Sequence, residues 1–139
     1  MDDTICDFTS AYRLARSQNP GIAFPQSQYG FFRKLHPIPG AAWFMEAMSV
    51  EHDVWIATRP SVLNPLCYSE KREWVEKHLG EHWCHKLIII PDKSLLKGDL
   101  LIDDQPWPTF EGKQILFGKA PYETWREVHT AILSDKIAF

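Results

Sequence analysis

Four short apolar runs, each set off by charged residues or proline, constrain this chain more than any other feature. They are Asp53-Val54-Trp55-Ile56-Ala57-Thr58, Leu87-Ile88-Ile89-Ile90, Asp99-Leu100-Leu101-Ile102-Asp103 and Gln114-Ile115-Leu116-Phe117. Arg59-Pro60 stops the first and Pro91 the second. Continuous β-branched and aromatic runs of this length read as strands buried on both faces. The stretches between them read as helices. Residues 5–18 place Ile5, Phe8, Ala11, Tyr12, Leu14 and Ala15 at helical spacing, and Asn19-Pro20-Gly21 ends them. A short apolar helix follows Pro39-Gly40 over 41–48, and a helix over 70–79 closes at Gly80. A last helix covers 124–133 with Trp125, Val128, Ile132 and Leu133 on its apolar side. Strands alternating with helices predict an α/β fold: a Rossmann-like parallel sheet in three layers, with helices on both faces.

The 139 residues are sized for one domain, spanning 1–139, with a single core. Residues 20–40 hold four prolines, three glycines and four aromatics, which makes them an irregular insert and not a regular layer. A net charge of −3 gives no basic face to neutralise phosphodiesters, so a nucleic-acid partner is not expected. No apolar run approaches the roughly 20 residues that a membrane span needs. The acidic start, Asp2-Asp3, lacks the basic region of a secretory signal. Cys6, Cys67 and Cys84 form no CxxC pair, and free thiols in a reducing, cytoplasmic setting are expected. The run His78-Leu79-Gly80-Glu81-His82-Trp83-Cys84-His85 suggests a metal site, but Gly80 interrupts it and no second cluster completes a zinc shell. A solvated helix terminus is the expectation there.

In parallel sheets the chemistry gathers at the carboxyl ends of strands. Here those ends carry Thr58, Asp92-Lys93 and Asp103-Asp104, and the chain opens with a second acidic pair, Asp2-Asp3. Carboxylates suit Mg2+, a hydroxyl can donate to a phosphoryl oxygen, and an ammonium offsets its charge. Together these are the parts of a magnesium-dependent phosphoryl-transfer site. Each residue alone has a plainer reading: a solvated terminus for Asp2 and Asp3, a helix cap for Thr58, a surface charge for Lys93. Phe31 and Phe32 alone read as core, and Trp107 and Trp125 as packing residues. Only their joint order carries the chemistry.

These segments resemble the haloacid-dehalogenase-like (HAD) phosphatases, and among them the 5′(3′)-deoxyribonucleotidases. The likeness lies in MDDTICDFTSAY at 1–12, PIPGA at 37–41, VWIATRPS at 54–61, YSEKREWVEKHLG at 68–80 and PDKSLLKGDLLIDDQP at 91–106. Most specific is Lys93 standing eleven residues before the second Asp of an apolar run that ends Asp103-Asp104. The resemblance implies a HAD-like sheet with a small reduced cap at about 19–36. It implies hydrolysis of 5′-(deoxy)nucleoside monophosphates through an aspartyl-phosphate, with Mg2+ as cofactor. Asp2 would be the general acid and base and a metal ligand. Thr58 would hold phosphoryl oxygens, and Lys93 would neutralise the phosphate. Asp104 would bind the metal, and Asp103 would orient that shell or hold Lys93. Phe8, Phe31 and Phe32 would form the nucleoside pocket, with Lys71 a second candidate for phosphate contact.

Two departures qualify the likeness. Family members carry a strand and a nucleophilic Asp immediately before the position of Met1. The expectation is therefore a chain read from an internal Met, impaired in turnover because the covalent step has no acceptor. The resulting sheet gap would favour a homodimer. The second departure is Arg59 after Thr58, which would add a phosphate contact or narrow the pocket. The rival reading is a non-catalytic nucleotide- or phosphate-binding protein on the same scaffold. A response-regulator-like receiver fits less well, because the strand before Thr58 offers no Asp at its carboxyl end.

Overall fold

The structure is a computed structural model, and it describes residues 1–134, 137 and 139. In chain order it comprises β1 (Cys6–Asp7), α1 (Phe8–Gln18), β2 (His36–Pro37), α2 (Ala41–Met48) and β3 (Ile56–Thr58). Then come α3 (Cys67–Leu79), α4 (Glu81–Cys84), β4 (Leu87–Ile89), β5 (Leu100–Asp103), β6 (Lys113–Leu116) and α5 (Trp125–Leu133). Single 3-10 turns lie at Pro25–Ser27, Phe32–Lys34 and Lys93–Leu95. Among the described residues no helix is long and apolar enough to cross a membrane.

Helix α1 starts at Phe8, three residues after the apolar spacing begins. The first six residues are folded into a turn instead: the Met1 carbonyl accepts from the amides of Thr4, Ile5 and Cys6. Ile5 and Cys6 are thereby committed to the core. The Asp7 carboxylate then caps the helix by accepting from the Ser10 amide at 2.9 Å. Helix α3 begins three residues earlier than its charge pattern suggests, because Cys67 is itself buried. It ends at Gly80, whose φ of 109° suits a residue without a Cβ. On α5, Trp125, Val128 and Ile132 face the core as expected, but Leu133 does not and is 64% exposed. At about 100° per residue, Ile132 and Leu133 cannot both point inward on a narrow face, and buried Ala131 takes the space on the other side.

The four apolar runs all form strands, and they pair in parallel. β3 pairs with β4, Ile56 opposite Leu87, and β5 pairs with β6, Leu100 opposite Lys113. They do not join into one sheet. Among the described residues there are three two-stranded sheets, the third being the antiparallel β1–β2 pair. Among the described residues no strand bridges β3 to β5. A cleft of about 500 Å³ lies between the two parallel pairs.

The core gathers α2 and α5 against the strands. The Phe44 ring lies 4.3 Å from Trp125, and Trp125 lies 4.6 Å from Phe117. The Trp125 indole donates to the Thr4 carbonyl at 3.0 Å, which ties the start of the chain to its last helix. Each fully buried apolar side chain of this kind contributes about 1.5–3 kcal/mol.

Candidate active site

The carboxyl end of β3 and the first turns of α3 make the site. Lys71 is fully buried on α3 and is the most connected cation in it. Its Nζ donates to Asp2 Oδ2 at 2.8 Å and to Thr58 Oγ1 at 2.7 Å, and also to the Arg59 carbonyl. A buried ammonium survives only with such partners. The structure therefore brings Asp2, Thr58 and Lys71 together from three separate segments. The Asp2 carboxylate remains 29% exposed, so one side of this cluster is open.

Lys93 has a different partner. It is buried at the turn after β4, and its Nζ pairs with Asp103 Oδ2. Asp103 also accepts from the Gln105 amide at 3.1 Å. Burial works to raise the Asp103 carboxyl, but the charge and hydrogen bond of Lys93 outweigh it and hold the carboxyl below its ordinary range. Of the two roles expected for Asp103, the geometry displays the grip on Lys93. Asp104 is half-buried and accepts from Gln105 Nε2 at 2.9 Å, with no lysine or arginine ion-paired to it among the described residues. Burial, with the neighbouring Asp103 charge, pushes its carboxyl above the ordinary range.

That environment bears on the expected metal. A carboxyl disfavoured as an anion for want of a cation suits a Mg2+ ligand. Mg2+ is commonly held by one or two carboxylates, with water and phosphate oxygens completing its shell. Asp104 and Asp2 each offer oxygen donors of that kind, whereas Asp103 is already committed to Lys93. Among the described residues no three carboxylate, imidazole or thiol groups converge as a metal cage.

The expected aromatic residues do come together. Phe8 lies 5.5 Å from Phe31 and 6.2 Å from Phe32, and Phe31 meets Phe32 edge-on at 5.2 Å. Phe32 is a core residue, 1% exposed, while Phe8 and Phe31 keep part of their surface. The Phe32 ring sits 4.8 Å from Lys71 Nζ, so the aromatic cluster adjoins the cationic one. Arg59 Nε donates to the Pro91 carbonyl at 3.0 Å, and its guanidinium lies 5.6 Å from the Trp107 ring, which Lys93 Nζ approaches to 5.8 Å.

Two residues that pattern reading passed over hold the segment carrying these aromatics. Glu70 is fully buried and accepts from the amides of Gly30 at 2.6 Å and Phe32 at 3.1 Å. Asn64 is also fully buried and donates to the carbonyls of Gln26 and Gln28, both at 3.3 Å. Adjacent Glu70 and Lys71 thus reach in two directions, one to the aromatic segment and one to the Asp2–Thr58 cluster. Glu70 offered one signal in sequence, an acid beside a lysine at a helix start; Asn64 offered only its place before Pro65.

Known proteins are similar to the chain over most of its length. The family described as 5′ nucleotidase, deoxy (pyrimidine), cytosolic type C protein matches residues 21–134. The mitochondrial 5′(3′)-deoxyribonucleotidase of Mus musculus is 35% identical over 159 aligned positions, covering 92% of this chain and 69% of the mouse protein. The cytosolic-type 5′(3′)-deoxyribonucleotidase of Homo sapiens is 44% identical over 78 residues, covering 55% of this chain and 39% of its own length. A Bordetella pertussis relative is 46% identical over 78 residues, 42% of its length. The chain thus spans less than half the length of several curated relatives that it matches. With residues 21–134 under the family match, the chain belongs to the cytosolic type C 5′-deoxynucleotidase family.

Proposed function

We propose that this chain carries the phosphate- and nucleoside-binding machinery of a magnesium-dependent 5′-(deoxy)nucleoside monophosphatase. The observation that carries the reading is Lys71: fully buried, with Nζ at 2.8 Å from Asp2 and 2.7 Å from Thr58. A desolvated ammonium beside a hydroxyl, at the open side of a carboxylate, is a seat for a phosphoryl oxygen. Phe8 and Phe31 would stack on the nucleoside, with the segment at about 19–36 acting as a cap over it. Asp2 and Asp104 would hold Mg2+, which when bound offsets charge on the phosphoryl oxygens. Lys93, fixed by Asp103, would add to the positive field.

Turnover on this scaffold takes two displacements. An acceptor carboxylate attacks phosphorus, the bond to the nucleoside 5′ oxygen breaks, and Asp2 protonates that oxygen. Water, deprotonated by Asp2, then attacks phosphorus, the acyl-phosphate bond breaks, and orthophosphate leaves with the acceptor restored. Asp2, Asp103 and Asp104 are all engaged in the roles above, so the acceptor has to come from another carboxylate. The strands would then belong to one three-layer HAD-like sheet.

Isothermal titration with dUMP and with inorganic phosphate, each with and without Mg2+, tests the reading. Saturable binding is expected, weakened about ten- to hundred-fold in Lys71→Met, the loss of one charge-assisted contact. Equal binding by the variant, or none by the parent, sinks the proposal. Binding without phosphate release, even after a strand ending in Asp is fused ahead of Met1, would favour the non-catalytic binding protein.

A further inference from the structure

Of the two adjacent acids at 2 and 3, Asp2 goes to Lys71 and Asp3 turns to its own segment. The Asp3 φ of 51° lies in the left-handed region, where glycine is unhindered and other residues are uncommon. What Asp3 adds over a glycine is a carboxylate, and both of its oxygens go to Thr9. Oδ1 accepts from the Thr9 amide at 2.8 Å and Oδ2 from the Thr9 hydroxyl at 2.7 Å. The Asp3 amide donates to the Cys6 carbonyl at 2.7 Å, which closes the turn between the two ends of this latch. Helix α1 already has a cap in Asp7, through the Ser10 amide. The bond to the Thr9 hydroxyl is one that capping does not need.

The latch joins the two ends of the site. Asp2, the neighbour of Asp3, accepts from Lys71 Nζ at 2.8 Å. Phe8, the neighbour of Thr9, has its ring 6.2 Å from that of Phe32, which in turn lies 4.8 Å from the same Nζ. The contacts close a circuit: Asp2 to Lys71, Lys71 to Phe32, Phe32 to Phe8, and back through Thr9 and Asp3. Without the latch, the path from Asp2 to Phe8 along the chain is one turn and the two-residue β1. Asp2, Lys71 and Phe8 meet ligand in the phosphatase reading. Asp3 and Thr9 do not, so their link acts only on where the others stand.

We propose that Asp3 is a positioning residue that sets specificity for nucleotides over free phosphate: its grip on Thr9 fixes the Phe8 ring relative to Asp2, at the span of one nucleoside monophosphate. The inference rests on the phosphatase reading for what sits at each end. Inorganic phosphate fills only the Asp2–Lys71 end and is indifferent to the latch. A nucleoside monophosphate engages both ends at once and gains from it, because a ring already held in place costs less ordering on binding. A cap with no part in recognition would change stability and leave the ratio of the two affinities alone.

Isothermal titration of the intact chain with Mg2+ compares dUMP with inorganic phosphate. Asp3→Gly suits the backbone and removes both acceptors. Phosphate affinity should stay within about two-fold of the parent while dUMP weakens about ten-fold, the scale of one stacking contact. Asp3→Asn can accept from the Thr9 amide and donate to its hydroxyl, so it should restore dUMP binding to within about three-fold of the parent. Phe8→Leu should weaken dUMP about ten-fold in the parent but less than about three-fold beside Asp3→Gly, the non-additivity of residues that act through one contact. If Asp3→Gly shows no cooperative urea transition, Thr9→Val replaces it, with a loss of about three-fold for dUMP alone. Equal weakening of dUMP and phosphate, additive losses, or no rescue by Asn each overturns the proposal and leaves the phosphatase reading standing. A parent chain that binds neither ligand ends both.

Discussion

Glu70 and Lys71 show how much two adjacent side chains on one helical turn can organise. Both are completely buried. Lys71 holds Asp2 and Thr58, and Glu70 holds the amides of Gly30 and Phe32. Replacing Glu70 by Ala leaves the buried Phe32 amide and the part-buried Gly30 amide without an acceptor. A loss of about 2–5 kcal/mol is expected, read as a lower urea midpoint. Glu70→Gln keeps one acceptor oxygen and should lose about half as much. A midpoint for Glu70→Ala equal to that of the parent would show that the contact contributes nothing to holding the aromatic segment. Thr58 and Lys93 stood out in the sequence because strand ends collect chemistry, and Asp2 because of the family resemblance. The sequence left Lys71 in a lesser place because the depth to which α3 sinks beside β3 is a tertiary fact. No local pattern distinguishes a lysine that enters the site from one that stays in water.

Among the elements, α5 has the most complete local specification. Thr124 Oγ1 caps the Glu127 amide at 3.3 Å, and the Glu127 carboxylate returns to the Thr124 amide at 2.7 Å, forming a capping box. Thr124→Ala should lower stability by about 1 kcal/mol, measured by urea or thermal unfolding. A variant within error of the parent would mean that packing of Trp125 and Val128 alone sets the helix start. The existence and type of all four helices and four strands expected from pattern are found here. Their ends moved where a residue outside the pattern was needed in the core, as with Cys67 on α3, or where a turn took precedence, as with Met1 and α1. Residues 20–40 gave no periodicity to read. Their shape is imposed from outside by Glu70 and Asn64, and by the aromatic contact of Phe31 and Phe32 with Phe8.

At the scale of the molecule, the apolar runs predicted parallel strands correctly but not their division into two pairs, since pairing partners and gaps are set by which backbone lies between them. The cleft that results places the Met1 amino group in a dry position, and this has a consequence for stability. Burial, with the Lys93 charge second, lowers the amino group from 8.0 to about 6. Above pH 8 the group is neutral in both folded and unfolded chains, and its burial carries no charging cost. Between pH 8 and 6 the unfolded chain takes up the proton and the folded chain does not, so unfolding is increasingly favoured. Below pH 6 both are charged and the loss is complete. The shift corresponds to about 2–3 kcal/mol of stability, present above pH 8 and lost as pH falls through about 6. Urea titrations from pH 5.5 to 8.5 should show the midpoint rising across that window. The same titrations on chain whose amino terminus has been acetylated remove the titrating group. There the rise should shrink by most of that amount, whereas an unchanged slope would assign the pH dependence to other groups and place the amino terminus in water.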